Sequence, residues 1–226
     1  MPRAPVVFLL DVDNTLLDND RLLADLRQCL DRELGADGAR RYWEHHARLW
    51  AELGYADYLG ALQAVRRERP HEDGWLEVSL YIARYPFADL LFPDSRRVLA
   101  HLQAQGPVVL LTDGDAVWQP RKVERSGLLE AARGQVLIYI HKEEELADVE
   151  RRYPAERYVM VDDKVRLLAP IKAHWRDRVT TVFVRQGQYA KDAAAIAALP
   201  PADLAVERIG DLLRYDADDL RPSSPG

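Results

Sequence analysis

The first apolar run of the chain ends in two acids, and this feature constrains the fold more than any other. Residues 5–10 read Pro-Val-Val-Phe-Leu-Leu, and Asp11 and Asp13 follow directly. A continuous apolar run predicts a strand buried on both faces, as in a parallel sheet covered by helices. Such sheets bind ligands at the carboxyl ends of their strands. The two acids are therefore candidate site residues, although Asp also follows strands simply to form turns.

Later apolar runs alternate with helical segments and also end in polar residues. These runs are residues 107–111, 136–140 and 158–161, which end at Thr112, at Lys142 and at Asp162 with Asp163. Two further strand candidates lie at residues 179–184 and 204–206. Alternating strands and helices imply right-handed crossovers and a parallel sheet. The predicted fold class is α/β, a Rossmann-like parallel sheet with helices on both faces.

About seventy residues after Thr15 have helical rather than strand periodicity. Leucines recur at three- and four-residue steps from Leu22 to Leu34, and Gly35 is a plausible helix end. We therefore predict an inserted all-α cap over residues 17–87, with a core domain formed by residues 1–16 and 88–216. Residues 217–226 are rich in Ser, Pro and Asp and nearly lack apolar side chains, which predicts a disordered tail.

Composition excludes several classes of partner. The net charge is −6 and no basic stripe is present, so we expect no nucleic-acid partner. The N-terminal apolar run is too short for a membrane span and lacks a cleavage pattern, so we expect no membrane partner. Cys29 is the single cysteine, which excludes an intrachain disulfide and fits a cytoplasmic location.

The polar residues at the ends of the predicted strands are together suited to one type of reaction. Parallel strands would bring to one edge two carboxylates for attack and proton transfer, a hydroxyl, an ammonium and an acidic pair. These groups are what phosphoryl transfer through an aspartate needs, since the acidic pair can bind a hard cation and the ammonium can offset phosphate charge. Independent turn residues are a poor alternative, because a lysine and a double aspartate at buried strand ends are costly without a shared purpose.

The set resembles the motifs of the haloacid dehalogenase-like (HAD) hydrolase superfamily, in its C1-capped subgroup. The first motif is matched by DVDNT at residues 11–15, the second by the strand ending in Thr112, and the fourth by VDDK at residues 161–164. For the third motif we prefer Lys142, which follows a strand and precedes the acidic pair. Lys122, in a K-x4-GL context, is its rival. No proline follows Lys142, unlike in many capped relatives, which suggests a less common subgroup.

The resemblance implies a Mg²⁺-dependent phosphatase that acts on a small phosphorylated substrate. Asp11 would be the nucleophile that forms an aspartyl phosphate, and Asp13 the group that protonates the leaving oxygen and later accepts a proton from water. Thr112 and Lys142 would contact the phosphoryl oxygens.

The implied Mg²⁺ ligands are the Asp11 carboxylate, the Asp13 backbone carbonyl, and Asp162 with Asp163. Substrate contacts are expected from backbone amides at Asp113 and Gly114, and from His46 and Arg48 in the cap.

Three alternatives remain open at the level of sequence. A 2-haloacid dehalogenase would use the same nucleophile without metal, and Asp13 and the acidic pair argue against it. A phosphomutase would differ only in its cap. A non-catalytic regulatory relative, such as a receiver-like switch, would have no reason to insert a helical lid, and it would normally be about half this length.

Overall fold

A six-stranded parallel sheet forms the centre of the structure, a computed structural model that describes residues 3–71 and 73–221. The strands are β1 (Ala4–Leu10), β2 (Val108–Asp113), β3 (Val136–Tyr139), β4 (Ala155–Asp162), β5 (Val179–Val184) and β6 (Leu204–Val206). Their order is β3-β2-β1-β4-β5-β6, and each neighbouring pair is parallel. Because the chain crosses from one side of β1 to the other between β3 and β4, the carboxyl end of β1 lies at a topological switch point, where such sheets bind ligands.

Helices cover both faces of this sheet. They are α1 (Asn19–Leu53), α2 (Tyr58–Glu68), α3 (Trp75–Arg84), α4 (Ser95–Gln103), α5 (Trp118–Arg125), α6 (Leu128–Ala131), α7 (Leu146–Arg152), α8 (Val165–Trp175) and α9 (Ala193–Ala197). Short 3-10 turns occupy Phe87–Leu90, Lys142–Glu144, Arg176–Arg178, Tyr189–Lys191 and Ile209–Arg214.

Alternate residues of β1 enter two separate apolar cores. Phe8 and Leu10 pack with residues of α4 and of the helices that follow β1, whereas Val7 and Leu9 pack with α7 and α8. This division follows from the strand period of two, which sends successive side chains to opposite faces. Residues 6–10 are accordingly all buried. The predicted fold class, a Rossmann-like parallel sheet covered on both faces, is confirmed.

The first three helices after β1, α1 to α3, precede α4 and β2, and we call them the inserted helices. Gly35 has non-helical torsions inside α1, with φ of 66°, so the helix bends at the residue where the sequence predicted an end. The chain enters and leaves this insertion side by side: Asp18 N–H donates to the Leu90 carbonyl at 2.8 Å, and Phe92 N–H donates to the Leu16 carbonyl at 3.0 Å. The exact boundaries of core and cap stay a prediction.

The C-terminal segment differs from its prediction. Residues 217–221 are ordered against the sheet rather than forming a disordered tail, because Leu220 is buried and its carbonyl accepts hydrogen bonds from Thr180 Oγ1 at 2.8 Å and from Arg157 at 3.0 Å. The prediction was therefore wrong for these residues, and residues 222–226 lie outside the described part of the chain. No helix within residues 3–71 and 73–221 is both long and apolar enough to cross a membrane.

Candidate active site

Asp11 lies at the carboxyl end of the central strand, where the sequence placed a nucleophile. Its backbone N–H donates to the Val161 carbonyl at 2.9 Å, so the residue continues the ladder between β1 and β4. The side chain is only 1% exposed, and Thr15 Oγ1 donates to its Oδ2 at 3.3 Å. Between them, Asn14 turns the chain with φ of 59°, a conformation that Asn tolerates better than most residues. The tight loop therefore returns Thr15 to the carboxylate it contacts.

Lys142 reaches two carboxylates from the end of β3. Its Nζ lies 2.5 Å from Asp11 Oδ1 and 2.7 Å from Asp162 Oδ2, and it also donates to the Leu111 carbonyl at 3.2 Å. Burial alone would lower the pKa of Lys142, but the charges of Asp11 and Asp162 raise it well above its ordinary value. The lysine is therefore a permanent cation. It also holds the pKa of Asp11 below its ordinary value, against the opposing effect of burial and with help from Lys164.

Asp11, Asp162 and Asp163 form a buried acidic triad. One carboxylate oxygen of each lies within 4.8 Å of the others, and all three side chains are buried. Asp162 Oδ1 accepts the Lys164 N–H at 2.8 Å, but neither oxygen of Asp163 accepts a hydrogen bond from any residue in the described ranges. The nearest cation is Lys164 Nζ at 3.9 Å.

Electrostatics in the triad favour an added positive charge. Burial raises the pKa of Asp163 to about 9, since the charges of Asp162 and Asp11 add to desolvation and outweigh the attraction of Lys164. Burial likewise raises the pKa of Asp162, although Lys142 opposes the shift. Buried carboxylates with unused oxygens are ligands suited to a small hard divalent cation. The triad therefore fits the predicted Mg²⁺ site.

Asp13 does not belong to this triad, because its carboxylate is bound by Lys122. Lys122 Nζ lies 2.7 Å from Oδ1 and 2.8 Å from Oδ2 of Asp13, and it also donates to Asn19 Oδ1 at 3.0 Å. Sequence comparison with the family treated Lys122 and Lys142 as rivals for one role, whereas the structure brings both to the site. The predicted contribution of Asp13 to metal binding, through its backbone carbonyl, stays a prediction.

Thr112 lies at the end of β2, beside Asp113 and Gly114. Its hydroxyl accepts a hydrogen bond from Gln119 Nε2 at 2.9 Å and lies 3.5 Å from the Asp113 carbonyl, so its proton is available for a stronger acceptor. Asp113 Oδ1 accepts the Lys142 N–H at 2.8 Å and so fixes that loop. Burial raises the pKa of Asp113 to about 6, although Lys142 opposes this.

Gly114 corrects one prediction about substrate contacts. Its backbone amide, which we expected to face substrate, donates to the Tyr139 carbonyl at 2.9 Å and extends the ladder between β2 and β3. Glycine is still required there, because a Cβ would lie 2.5 Å from the Cβ of Gln119. Gly114 therefore shapes the cavity without offering its amide.

A cavity of about 520 Å³ separates this sheet edge from the inserted helices. Its walls include both Asp13 and Lys122, and His46 lines it from α1. Aromatic rings of Trp43, His46, Tyr58 and Trp118 follow one another along the wall, with successive centroids 5.3, 5.0 and 5.4 Å apart. Burial lowers the pKa of His46, which keeps the imidazole neutral near pH 7.

Arg48, the other cap residue expected to bind substrate, does not line this cavity. Its guanidinium lies 2.9 Å from His45 Nδ1 and 4.0 Å from Glu52, on an exposed part of α1. The expected contact of Arg48 with substrate stays a prediction, and its position does not favour it, because two positions along a helix correspond to nearly opposite faces.

A parallel sheet with a buried charged site at the carboxyl end of its central strand is the arrangement of an α/β enzyme. The family model of haloacid dehalogenase-like hydrolases matches residues 6–174, which is more than half of the chain. The chain therefore belongs to the haloacid dehalogenase-like hydrolase family. Whether its cap is of the C1 type stays a prediction.

Solved structures agree with this assignment. A haloacid dehalogenase-like hydrolase of Burkholderia xenovorans LB400 is 54% identical and superposes with a TM-score of 0.90, over 98% of this chain and 100% of that one. An L-2-haloacid dehalogenase of Xanthobacter autotrophicus is 19% identical, with a TM-score of 0.58 over 93% of this chain and 97% of its own. A HAD hydrolase of Bacillus subtilis, described as bound to magnesium, is 17% identical, with a TM-score of 0.59 over 94% and 98%. The latter two show the fold alone. No curated protein matches the chain.

Proposed function

We propose that the protein is a Mg²⁺-dependent phosphatase that hydrolyses a small phosphomonoester through an aspartyl-phosphate intermediate. The observation that carries this proposal is the pairing of two features beside Asp11. One is Asp163, whose buried oxygens lack a hydrogen-bonding partner among the described residues, and the other is Asp13, a second carboxylate in the cavity wall. Displacement of a halide needs neither a cation nor an acid for the leaving group, so a haloacid dehalogenase would leave both features without a purpose.

Asp11 supplies the nucleophile in this mechanism. Its carboxylate is kept ionised by Lys142, which lies 2.5 Å away, and is oriented by Thr15. An oxygen of Asp11 forms a bond to phosphorus while the bond from phosphorus to the leaving oxygen breaks. Asp13 donates a proton to that leaving oxygen, which departs as an alcohol.

The same two residues complete the cycle. Water attacks phosphorus of the aspartyl phosphate, loses its proton to Asp13, and releases phosphate as the bond to Asp11 breaks. Lys142 offsets the negative charge of the phosphoryl oxygens, and the Thr112 hydroxyl donates a hydrogen bond to one of them. Asp13 is thus returned to its protonated form for the next substrate.

The metal would be held by Asp11, Asp162 and Asp163. When bound, Mg²⁺ supplies positive charge that offsets the repulsion between the phosphoryl group and the carboxylates. Three buried carboxylates lie beside two lysines, Lys142 and Lys164. A bound divalent cation would offset the remaining negative charge.

The test compares two reactions in the purified protein. With Mg²⁺ present, the wild type should release phosphate from 4-nitrophenyl phosphate, and Asp11→Asn should abolish this release while the far-ultraviolet spectrum is unchanged. In EDTA, neither phosphate release nor chloride release from 2-chloropropionate should occur. Chloride release in EDTA, without any phosphatase activity in Mg²⁺, would replace the proposal with dehalogenation.

A further inference from the structure

Lys122 has no role in the mechanism above, although it is one of the most fully buried charged residues of the chain. It lies on α5, about one turn after the start of the helix at Trp118, and its side chain is 2% exposed. Its ammonium group has three N–H donors and three acceptors within 3.0 Å, namely both oxygens of Asp13 and Asn19 Oδ1. Every donor is used, so the position of the ammonium group is fixed by its contacts.

This arrangement fixes the Asp13 carboxylate in one orientation. Asp13 lies in the loop after β1, and its side chain is 20% exposed toward the cavity. A carboxylate that contacts one ammonium through both oxygens cannot rotate about its terminal torsion without breaking a charge-assisted hydrogen bond. Proton transfer to a leaving oxygen requires that its donor be placed within hydrogen-bonding distance, so orientation matters directly for the rate.

The third contact of Lys122 connects the same carboxylate to the inserted helices. Asn19 is the first residue of α1, and its backbone N–H donates to Asn14 Oδ1 at 3.0 Å. Asn14 also accepts the N–H of Asp20 at 3.1 Å. The loop that carries Asp13 and the start of α1 are therefore joined through Lys122 on one side and through Asn14 on the other.

We propose that Lys122 is a positioning residue, which holds the Asp13 carboxylate at the leaving-group side of the site and ties its orientation to the first residue of α1. The inference rests on the proposed phosphatase mechanism. A purely structural lysine, present only to neutralise a half-buried acid, would affect the stability of the protein and all substrates alike. A positioning lysine affects most strongly the substrates whose leaving oxygen needs a proton.

The experiment compares leaving groups in the full-length protein with Mg²⁺. The constant kcat/KM reports the steps up to phosphoryl transfer to Asp11, so it depends on protonation of the leaving oxygen, whereas kcat also includes hydrolysis of the aspartyl phosphate. For Lys122→Met, we expect kcat/KM to fall by about 10²-fold for phenyl and alkyl phosphates and by less than about 10-fold for 4-nitrophenyl phosphate, because a general acid contributes about 10²–10⁴-fold when the leaving group is poor. Arg125→Met, which removes an exposed cation from the same helix, should change neither constant.

Two further variants separate positioning from folding. Lys122→Arg keeps the charge and can bind both carboxylate oxygens, so it should restore at least part of the lost kcat/KM. Asn19→Ala removes only the third acceptor of Lys122. It should lower kcat/KM by about 3-fold for phenyl and alkyl phosphates and by less for 4-nitrophenyl phosphate. If thermal unfolding shows that Lys122→Met is not folded, the result with Asn19→Ala decides whether Lys122 positions Asp13.

A double variant shows whether Lys122 acts through Asp13. In the Asp13→Asn background, Lys122→Met should lower kcat/KM by less than about 3-fold, since the carboxylate it positions is already gone. The proposal would be overturned if Lys122→Met lowered kcat/KM equally for all leaving groups. It would also be overturned if Lys122→Met lowered kcat/KM as much in the Asp13→Asn background as in the wild type. A wild type that hydrolyses no phosphomonoester would instead overturn the proposed function.

Discussion

Replacing Asp163 by Asn tests the acidic triad without any substrate. Burial and the neighbouring carboxylates raise the pKa of Asp163 to about 9 in the folded protein, whereas an aspartate in the unfolded chain has a pKa of about 3.9. Between these two values the folded state holds a proton that the unfolded state has released. The stabilisation from this proton is complete below pH 3.9 and is lost progressively as the pH rises toward 9.

The size of the effect follows from proton linkage. One proton bound only by the folded state lowers the free energy of unfolding by about 1.4 kcal/mol for each pH unit. The interval from pH 7 to pH 8 lies above most of the titration of Asp113, with a pKa of about 6, and of His46, with a lowered pKa. Burial also raises the pKa of Asp162, so the contribution of Asp163 is taken from the difference between the wild type and Asp163→Asn. Ionisation of Cys29 in the unfolded chain begins to contribute above this interval. For a chain of this size, 1.4 kcal/mol corresponds to a shift in Tm of about 3 to 6 °C.

Thermal unfolding in EDTA, followed by circular dichroism at pH 7 and pH 8, measures this shift. The wild type should lose about 3 to 6 °C between the two values, and Asp163→Asn should lose almost nothing. Added Mg²⁺ should raise Tm more at pH 8 than at pH 7, because the cation binds the ionised carboxylate. Asp115→Asn, which changes another acid of the same cavity, should keep the slope of the wild type. A wild-type Tm that stays level or rises from pH 7 to pH 8, or an unchanged slope in Asp163→Asn, would refute the reasoning.

Four further substitutions test other parts of the structure. Lys142→Met should abolish phosphate release and lower the free energy of unfolding by about 3–5 kcal/mol in urea titrations, since the buried carboxylates of Asp11 and Asp162 lose their common ammonium. Leu220→Ala should cost about 2–5 kcal/mol, because a buried leucine is truncated; an unchanged urea midpoint would contradict the packing of this segment. His46→Ala should raise KM in steady-state assays, whereas Arg48→Ala should leave KM and kcat as they are, and the reverse pattern would show that the cavity wall is assigned wrongly.

The strand ends could be predicted from sequence because a strand fixes where its last residue points. Once β1, β2 and β4 are identified as parallel neighbours, Asp11, Thr112 and Asp162 must meet at one edge. Lys142 follows the same logic, since it comes three residues after the last residue of β3. The resemblance to a known family added the roles of these residues, which geometry alone does not assign.

Residues on helices and in irregular segments were harder to place, for physical reasons. The contact of Lys122 with Asp13 depends on how α5 packs, and only its K-x4-GL context hinted at a role. His46 and Arg48 are two positions apart on one helix, so the sequence could not tell which faces the cavity. A single apolar residue among polar ones, such as Leu220, gives no periodic signal, and its burial depends on a groove formed by distant parts of the chain.

The chain leaves the sheet for the inserted helices and returns from them at neighbouring residues, which affects how such a chain can evolve. Leu17 and Leu91 pair as an isolated antiparallel bridge, so the insertion begins and ends at almost the same point in space. The cost of closing a loop grows only slowly with its length, which means that the sheet tolerates a long or a short excursion at this point almost equally. The length and sequence of the inserted helices can therefore change while the carboxyl ends of β1 and β2 keep their places in the sheet.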